Sequence, residues 1–284
     1  DAAVRSAQGI MLDALEVLEY RGYDSAGIAV CGTDGGVQIR KCAGRVKDLR
    51  SLCEKSKTGG ACGIGHTRWA THGGVSDENA HPHKFGNVTV IHNGIIENYK
   101  RLIGKYDLQE KLQSQTDSEV VAAVLAHFYN GDPYAAIRKT VLKLKGTFAL
   151  GIMFGDIPDT VFAVRNVSPI VIARAEDGSM MASDVTVLGQ YSREYFVLPE
   201  FHVATLKKEG IELYDMSGEA VEPQWLTVNW DVNRSSKGGY PFYMEKEIME
   251  QPEVIRETIE PRIRDGMPNL AVDGVPDSLL AECD

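Results

Sequence analysis

Residues 148–154 read FALGIMF, an unbroken apolar run that begins the part of the chain from which the fold class can be predicted. Shorter apolar runs follow it, and turns rich in Gly, Asp, Pro and Ser separate them. Runs of this length between such turns are typical of strands in a multistranded antiparallel sheet. The later runs cover residues 161–164, 170–173, 201–206 and 211–214.

The first half of the chain combines helical patterns with a few strands. Apolar residues recur at helical spacing over 10–18, and Gly22 is predicted to cap that helix. The sequence TDSE at 116–119 is a capping box, which predicts that a helix begins there. Separate helical and strand-rich stretches indicate the α+β class. Further helices are predicted at 46–54, 134–144 and 244–259 (Pro252 near a start or a kink), a hairpin at 26–31 and 37–39, and buried strands at 61–65 and 88–91.

Composition and charge exclude several classes of protein. The net charge of −10 argues against non-specific binding to nucleic acid or to an anionic membrane, because both require a basic surface. No run approaches the roughly 18 apolar residues of a membrane span, and the first residues do not resemble a signal peptide. The five cysteines include no C-x-x-C pair, which suits buried thiols in a reduced compartment. We therefore expect a cytoplasmic protein.

Five of the seven histidines lie between positions 66 and 92, and this clustering is the first sign of a functional site. Metal binding is the simplest alternative, but no H-E-x-x-H or comparable ligand spacing occurs. Pro82 also disrupts a simple strand display of its two neighbouring rings. The five are His66, His72, His81, His83 and His92.

Taken in order, several segments resemble the glutaminase domain of glutamine–fructose-6-phosphate aminotransferases. HTRWATHG at 66–73 looks like the glutamine-loop motif of that family, and YMEKEI at 243–248 with EQP at 250–252 is similar to its joint with an isomerase domain. The related phosphoribosylpyrophosphate amidotransferases favour a Tyr-Ser pair where this chain has Trp69-Ala70. The other matching segments are YRGYDSAG at 20–27, NAHPH at 79–83, HNGIIEN at 92–98 and TDSE at 116–119.

The resemblance implies the four-layer αββα sandwich of N-terminal-nucleophile hydrolases, without a cofactor or a metal. The implied reaction is hydrolysis of the glutamine side-chain amide to glutamate and ammonia. In the family, an isomerase domain uses the ammonia to convert fructose 6-phosphate to glucosamine 6-phosphate. Residues 1–240 would be a glutaminase domain lacking its first residues, and 241–284 a linker towards an absent isomerase domain. The full-length protein is expected to be a homodimer.

The resemblance also implies roles for residues around the reacting amide. The Asn93 side chain and the Gly94 backbone N–H match the oxyanion hole, where glycine leaves room for the substrate. A type I′ hairpin turn is the alternative for this Asn-Gly pair. Arg21 and Gly22 resemble positions that support the nucleophile, although Arg21 could equally be a cation at a helix end.

Two residues of opposite charge match the family's recognition of a free amino acid. Arg68 matches the clamp on the glutamine α-carboxylate, and Asp117 matches the residue that receives the α-ammonium. A site that binds both the α-carboxylate and the α-ammonium would exclude glutamine within a peptide. The alternatives are a surface ion pair for Arg68, a helix-dipole role for Asp117 and a buried core position for Trp69. Thr71, His72 and His81 resemble the rest of the pocket wall, and Trp69 resembles a mobile gate.

The chain departs from the family at the nucleophile. In the family this is an N-terminal cysteine, whose own α-amine can act as the base. None of Cys31, Cys42, Cys53, Cys62 and Cys283 can replace it, because none has a free α-amine beside it. We therefore expect the 284-residue polypeptide to be inactive in glutamine hydrolysis. An inactive glutamine-binding or regulatory module of the same fold is the alternative.

Overall fold

Two stacked β-sheet layers, each covered by helices on its outer face, form the centre of residues 1–228. A computed structural model describes residues 6–32, 36–56, 59–228 and 238–280. It divides the chain into two compact units, 1–228 and 229–284. The order helix, sheet, sheet, helix in the first unit confirms the predicted αββα sandwich.

The first unit begins with helix α1 and carries most of the strands. Its helices are α1 (Ala7–Leu18), α2 (Val46–Lys55), α3 (Tyr99–Tyr106), α4 (Asp117–Phe128), α5 (Pro133–Val141) and α6 (Val185–Leu188). Its strands are β1 (Ser25–Cys31), β2 (Val37–Ala43), β3 (Cys62–Arg68), β4 (His83–Phe85), β5 (Val88–Ile96), β6 (Gly146–Phe154), β7 (Val161–Asn166), β8 (Val171–Ala175), β9 (Gly178–Ala182), β10 (Glu194–Val197), β11 (Val203–Leu206), β12 (Ile211–Tyr214) and β13 (Leu226–Thr227).

The two sheet layers differ in continuity. One layer is a six-stranded antiparallel sheet in the order β12-β11-β7-β6-β5-β4, covered by α3, α4 and α5. The other layer contains a three-stranded sheet, β2-β1-β3, and a four-stranded sheet, β13-β10-β8-β9. Helices α1 and α2 cover the first of these, and α6 packs on the second. Strand β3 contacts β5 across the two layers.

Strand β6 explains why residues 148–154 form an unbroken apolar run. Phe148, Leu150 and Ile152 pack towards the helices, whereas Ala149 and Met153 pack towards the opposite sheet layer. Alternate residues of a strand point to opposite faces, so a strand buried on both faces is apolar throughout. The small Ala149 leaves room for the second layer.

Helix α4 begins at the predicted position, but its capping differs from the prediction. The Thr116 Oγ1 accepts a hydrogen bond from the Glu119 N–H (3.3 Å). The Glu119 carboxylate does not reach back to Thr116 as a capping box requires. It accepts instead from the backbone N–H groups of Gln113 (2.9 Å) and Ser114 (2.6 Å), and so holds the loop before the helix.

The structure confirms the predicted hairpin and helices and corrects two further predictions. The strands after 148 do not form one sheet, because β8, β9 and β10 pair with each other in the opposite layer. Gly22 does not cap α1, which ends at Leu18; Gly22 follows a 3-10 turn (Glu19–Arg21) with an extended φ of −168°. Helix α3 was not predicted. The predicted turn at 33–36, apart from Gly36, and Cys283 lie outside the described residues.

The second unit consists mainly of one helix. Helix α7 (Tyr243–Ile259) contains Pro252 in its interior, not near its start. A 3-10 turn (Glu260–Arg262), short strands β14 (Ile263–Arg264) and β15 (Met267–Pro268), a second 3-10 turn (Ala271–Asp273) and α8 (Asp277–Leu280) follow in what was predicted as a linker or loop. Within the described ranges, no helix is both long and apolar enough to cross a membrane.

Candidate active site

The buried Arg68 guanidinium lies at the end of β3. Its side chain is 5% exposed, so the surface ion pair considered from the sequence is wrong. The Nη2 group donates to the His72 (2.6 Å) and Gly73 (3.2 Å) carbonyls, and Nη1 donates to the Gly74 carbonyl (3.2 Å). Burial lowers the pKa of Arg68, and the negative charges of Asp24 and Asp117 oppose that shift. The Arg68 cation therefore lies within electrostatic range of two carboxylates, of which Asp117 is buried and Asp24 half-buried.

Asp117 is the first residue of α4, and it is 4% exposed. Its Oδ2 accepts a hydrogen bond from the Ile96 N–H (2.8 Å), which fastens the helix to the end of β5. His92 Nδ1 lies 3.9 Å from the same oxygen and 2.9 Å from the Ser118 hydroxyl. Asp117 is thus held by specific bonds in addition to any favourable effect of the helix dipole.

Asn93 and Gly94 lie inside strand β5, so the hairpin-turn alternative is wrong. They pair with Ala149 and Phe148 of β6. Gly94 has a φ of +140°, and a Cβ at this position would lie 2.1 Å from the Thr147 carbonyl oxygen. Only glycine fits such a backbone. The Asn93 side chain is exposed, three residues before the Ile96 N–H that holds Asp117.

The loop after Arg68 carries three more residues predicted to line the site. Trp69 is 63% exposed and its ring packs at 5.7 Å from that of Tyr23, so the buried-core alternative is wrong. Thr71 is exposed. The half-buried His72 ring packs edge-on against Tyr99 at 5.4 Å.

Arg21 and Gly22 occupy different surroundings. The Arg21 guanidinium forms a partly exposed ion pair with Asp184 (3.2 Å) and does not contact the Arg68 guanidinium. Gly22 lies against the backbone of Arg68 and Trp69, where an added Cβ would come within 2.9 Å of the Arg68 carbonyl carbon. Gly22 therefore belongs to the packing of the site, whereas Arg21 links it to the start of α6.

Four histidine side chains from β3, around the start of β4 and from β5 lie close together, and three of them, His81, His83 and His92, are buried. The His66 and His81 rings stack at 4.2 Å, and His83 packs edge-on against His81 at 4.7 Å. His81 Nδ1 accepts a hydrogen bond from the His92 N–H (3.4 Å), which requires that nitrogen to be unprotonated. We call His66, His81, His83 and His92 the histidine cluster.

The histidine cluster is held in the neutral form. Burial and the proximity of His92 and of the Arg68 charge lower the pKa of His66 to about 3. Burial holds the pKa of His81 and of His83 well below the ordinary value, helped most by the neighbouring His66 at His81 and by the Lys41 charge at His83. Burial also lowers the pKa of His92, although the Asp117 charge opposes it. Protonation here would place a second cation beside Arg68.

Sequence reasoning did not assign a role to Asp24, which organises the same loop. Its N–H donates to the Arg68 carbonyl (3.2 Å), and its Oδ2 accepts from the Ala70 N–H. Asp24 thereby fixes the backbone on both sides of Trp69. Its presence in the matching segment 20–27 was the available signal.

Neither a metal-type cluster nor a described cavity coincides with the Arg68 region. Within the described ranges, no three His, Cys, Asp or Glu side chains are grouped so that they could hold a metal ion. A cavity of about 360 Å³, lined by residues including Tyr106, His127 and Tyr129, lies beside α3 and α4. Another of about 260 Å³ includes Lys41 and His83. The loop carbonyls that bind Arg68 occupy its donors in this structure.

Known proteins match both the sequence and the fold. The model of a family described as a glutamine amidotransferase domain matches residues 66–190. The glutamine–fructose-6-phosphate aminotransferase (isomerizing) of Clostridium acetobutylicum is 43% identical over 269 residues, which cover 93% of this chain and 44% of that protein. Its counterpart from Thermus thermophilus is 42% identical over 264 residues, covering 92% and 43%. The chain thus spans less than half the length of these curated relatives.

Solved structures support the fold alone. The phosphoribosylpyrophosphate amidotransferase of B. subtilis, complexed with ADP and GMP, is similar with a TM-score of 0.64 at 24% identity. The similarity covers 76% of this chain and 48% of that one. A glutamine aminotransferase class-II domain protein from Silicibacter pomeroyi has a TM-score of 0.50 at 16% identity, covering 68% and 91%.

Proposed function

We propose that this chain, which belongs to the glutamine amidotransferases, binds free L-glutamine through Arg68 and Asp117. Its homologues are named glutamine–fructose-6-phosphate aminotransferase. Its role would be that of the glutaminase domain of a glucosamine-6-phosphate synthase. Fructose 6-phosphate would then be the substrate of an isomerase domain within a longer, homodimeric protein. Residues 1–240 would form the glutaminase domain and 241–284 the connection to that isomerase domain.

The observation that carries the proposal is the burial of opposite charges in one region. Arg68 and Asp117 are both nearly inaccessible, and Asp117 acts electrostatically on the guanidinium. A free amino acid carries the complementary pair, an α-carboxylate for Arg68 and an α-ammonium for Asp117. The planar guanidinium can bond both oxygens of that carboxylate once the loop carbonyls release some of its donors.

The amide of a glutamine held this way would need an oxyanion hole. We assign this role to the Asn93 side chain and the Gly94 N–H, with Gly22, Thr71, His72 and His81 around the substrate and Trp69 as a gate. Support comes from the bond between Asp117 and Ile96, because it joins the charged end of the site to the strand that carries Asn93. Arg21 would act indirectly, through its ion pair with Asp184 at the start of α6.

The described cysteines do not suit the role of nucleophile. A thiol reacts as its thiolate, and burial raises the pKa of Cys62 to about 12. Burial also raises the pKa of Cys42 and of Cys53. Cys31 is buried in β1. We therefore propose that the 284-residue polypeptide binds glutamine without hydrolysing it.

Calorimetry with L-glutamine, combined with an assay for glutamate release, tests this proposal. We expect binding with a stoichiometry near one and no glutamate above the uncatalysed background. Extending the polypeptide with an N-terminal Cys-Gly-containing strand should then produce glutaminase activity, whereas an inactive binding module would remain inactive. Absence of binding would contradict the proposed function, and glutamate release by the 284 residues would contradict the assignment of the nucleophile.

A further inference from the structure

Asn79 begins the segment NAHPH and has no role in the mechanism described so far. Its side chain is 5% exposed and lies between the loop that binds Arg68 and the residues before α4. The Asn79 Nδ2 donates to the Gly74 carbonyl (2.9 Å), which also accepts from Arg68 Nη1. The Asn79 Oδ1 accepts from the Gln115 N–H (2.9 Å), two residues before Asp117.

We propose that Asn79 is a positioning residue, which sets the distance between the two charges that grip the ends of glutamine. One amide group connects the carbonyl that Arg68 contacts to the backbone that leads into Asp117. These two shorter hydrogen bonds are to main-chain atoms, so the connection acts on the backbone that carries each charged side chain; Nδ2 also lies 3.5 Å from the Gln115 Oε1. This inference rests on the proposed function.

The orientation of the Asn79 amide follows from its partners. A carbonyl oxygen only accepts and a backbone N–H only donates, so Nδ2 must face Gly74 and Oδ1 must face Gln115. An amide of this length satisfies both partners at once. Leucine has a similar volume but satisfies neither, and aspartate at neutral pH retains only the acceptor.

The packing around Asn79 leaves the amide little freedom. Gly73 has a φ of +78°, and a Cβ there would lie 2.9 Å from Asn79 Nδ2 and 3.0 Å from Gln115 Cβ. The loop backbone at Gly73 therefore packs directly against Asn79 and Gln115, and the absence of a side chain at Gly73 permits this close approach.

Three further hydrogen bonds hold the main chain at Asn79 and on either side of it. Lys41 Nζ donates to the carbonyls of Glu78 (3.0 Å) and Ala80 (2.8 Å). The Asn79 N–H donates to the Ser76 hydroxyl (3.3 Å). Because its backbone is fixed, the Asn79 side chain transmits the position of Gln115 to the loop and does not simply follow either partner.

The test compares L-glutamine binding by the wild-type chain and by Asn79→Leu, with Asn87→Leu as the matched control. The Asn87 side chain bonds to Asp156 at the far end of β5. We expect Asn79→Leu to raise the Kd about tenfold at a stoichiometry near one, since two hydrogen bonds are lost, and Asn87→Leu to leave the Kd unchanged. Asn79→Asp, which keeps the bond from Gln115, provides a second variant should the leucine variant fail to fold, and its Kd should also rise.

The outcomes separate this inference from the proposed function. A merely structural Asn79 would lower the melting temperature and the binding stoichiometry of both variants while the folded molecules kept the wild-type Kd, and that result would overturn the inference alone. Absence of glutamine binding by the wild-type chain would overturn the proposed function and the inference together. A raised Kd at full stoichiometry would support both.

Discussion

Replacing Arg68 by methionine is expected to weaken L-glutamine binding about 100-fold, because a ligand carboxylate would then be buried without its partner. The Arg68 side chain is almost inaccessible, so water cannot replace the guanidinium effectively. Methionine keeps much of the volume of the stem and removes the charge. Calorimetric titration of the purified variant with L-glutamine gives the change in Kd directly.

Two controls show whether the effect belongs to the site. Arg138→Met removes an arginine on α5 that also donates to a backbone carbonyl, that of Ser217 (3.2 Å), and should leave the Kd unchanged. Arg68→Lys keeps the charge but not the planar fork, so the Kd should still rise. A folded Arg68→Met chain with wild-type affinity would remove Arg68 from the binding site.

Acidification is expected to lower the free energy of unfolding of residues 1–228 below about pH 6.5, because the histidine cluster is held neutral. The folded pKa of each ring lies below the unfolded value of about 6.5. The unfolded chain therefore binds more protons below pH 6.5. The contribution to stability is complete above that pH and is lost as the pH falls below it.

The expected loss is large compared with the stability of a domain. Each ring lowers the free energy of unfolding by up to about 1.4 kcal/mol per pH unit below the unfolded pKa, so four rings lower it by up to about 5.5 kcal/mol per pH unit. Typical stabilities are only about 5–15 kcal/mol. The charged groups around the rings are Arg68 and Lys41, which oppose protonation, and Asp117, which favours it at His92.

Urea unfolding at pH 7, 6 and 5 measures this dependence. The free energy of unfolding should fall steeply below pH 6.5, and His66→Gln should reduce the slope by about one proton. His202→Gln is the control, because His202 bonds to the Glu200 carbonyl outside the cluster. Equal free energies at pH 7 and pH 5 would show that the cluster does not hold neutral rings.

Local sequence patterns predicted the elements better than their arrangement. The run at 148–154 predicted a strand, and burial of that strand on both faces explains its unbroken apolar pattern. Thr116 predicted the start of α4 because capping is local. The division of the later strands between two layers depends on pairings such as Tyr195 with Ala173, which no local pattern specifies.

In the candidate site, too, the sequence predicted individual residues better than their contacts. Motif resemblance selected Arg68 and Asp117, but the motif could not show that Arg68 is bound by its own loop in this structure. The Asn-Gly pair was ambiguous because a turn and a strand with positive φ both favour glycine. The bond from Gln115 to Asn79 joins residues 36 positions apart, so spacing alone could not predict it.

Comparing L-glutamine with two blocked analogues tests most directly whether one pocket holds both charged ends of a free amino acid. Nα-acetyl-L-glutamine lacks the ammonium for Asp117, and the α-amide of L-glutamine lacks the carboxylate for Arg68. Calorimetry with the wild-type chain should show binding of L-glutamine and at least tenfold weaker binding of each analogue. If either analogue binds as tightly as L-glutamine, the paired recognition by Arg68 and Asp117 is wrong.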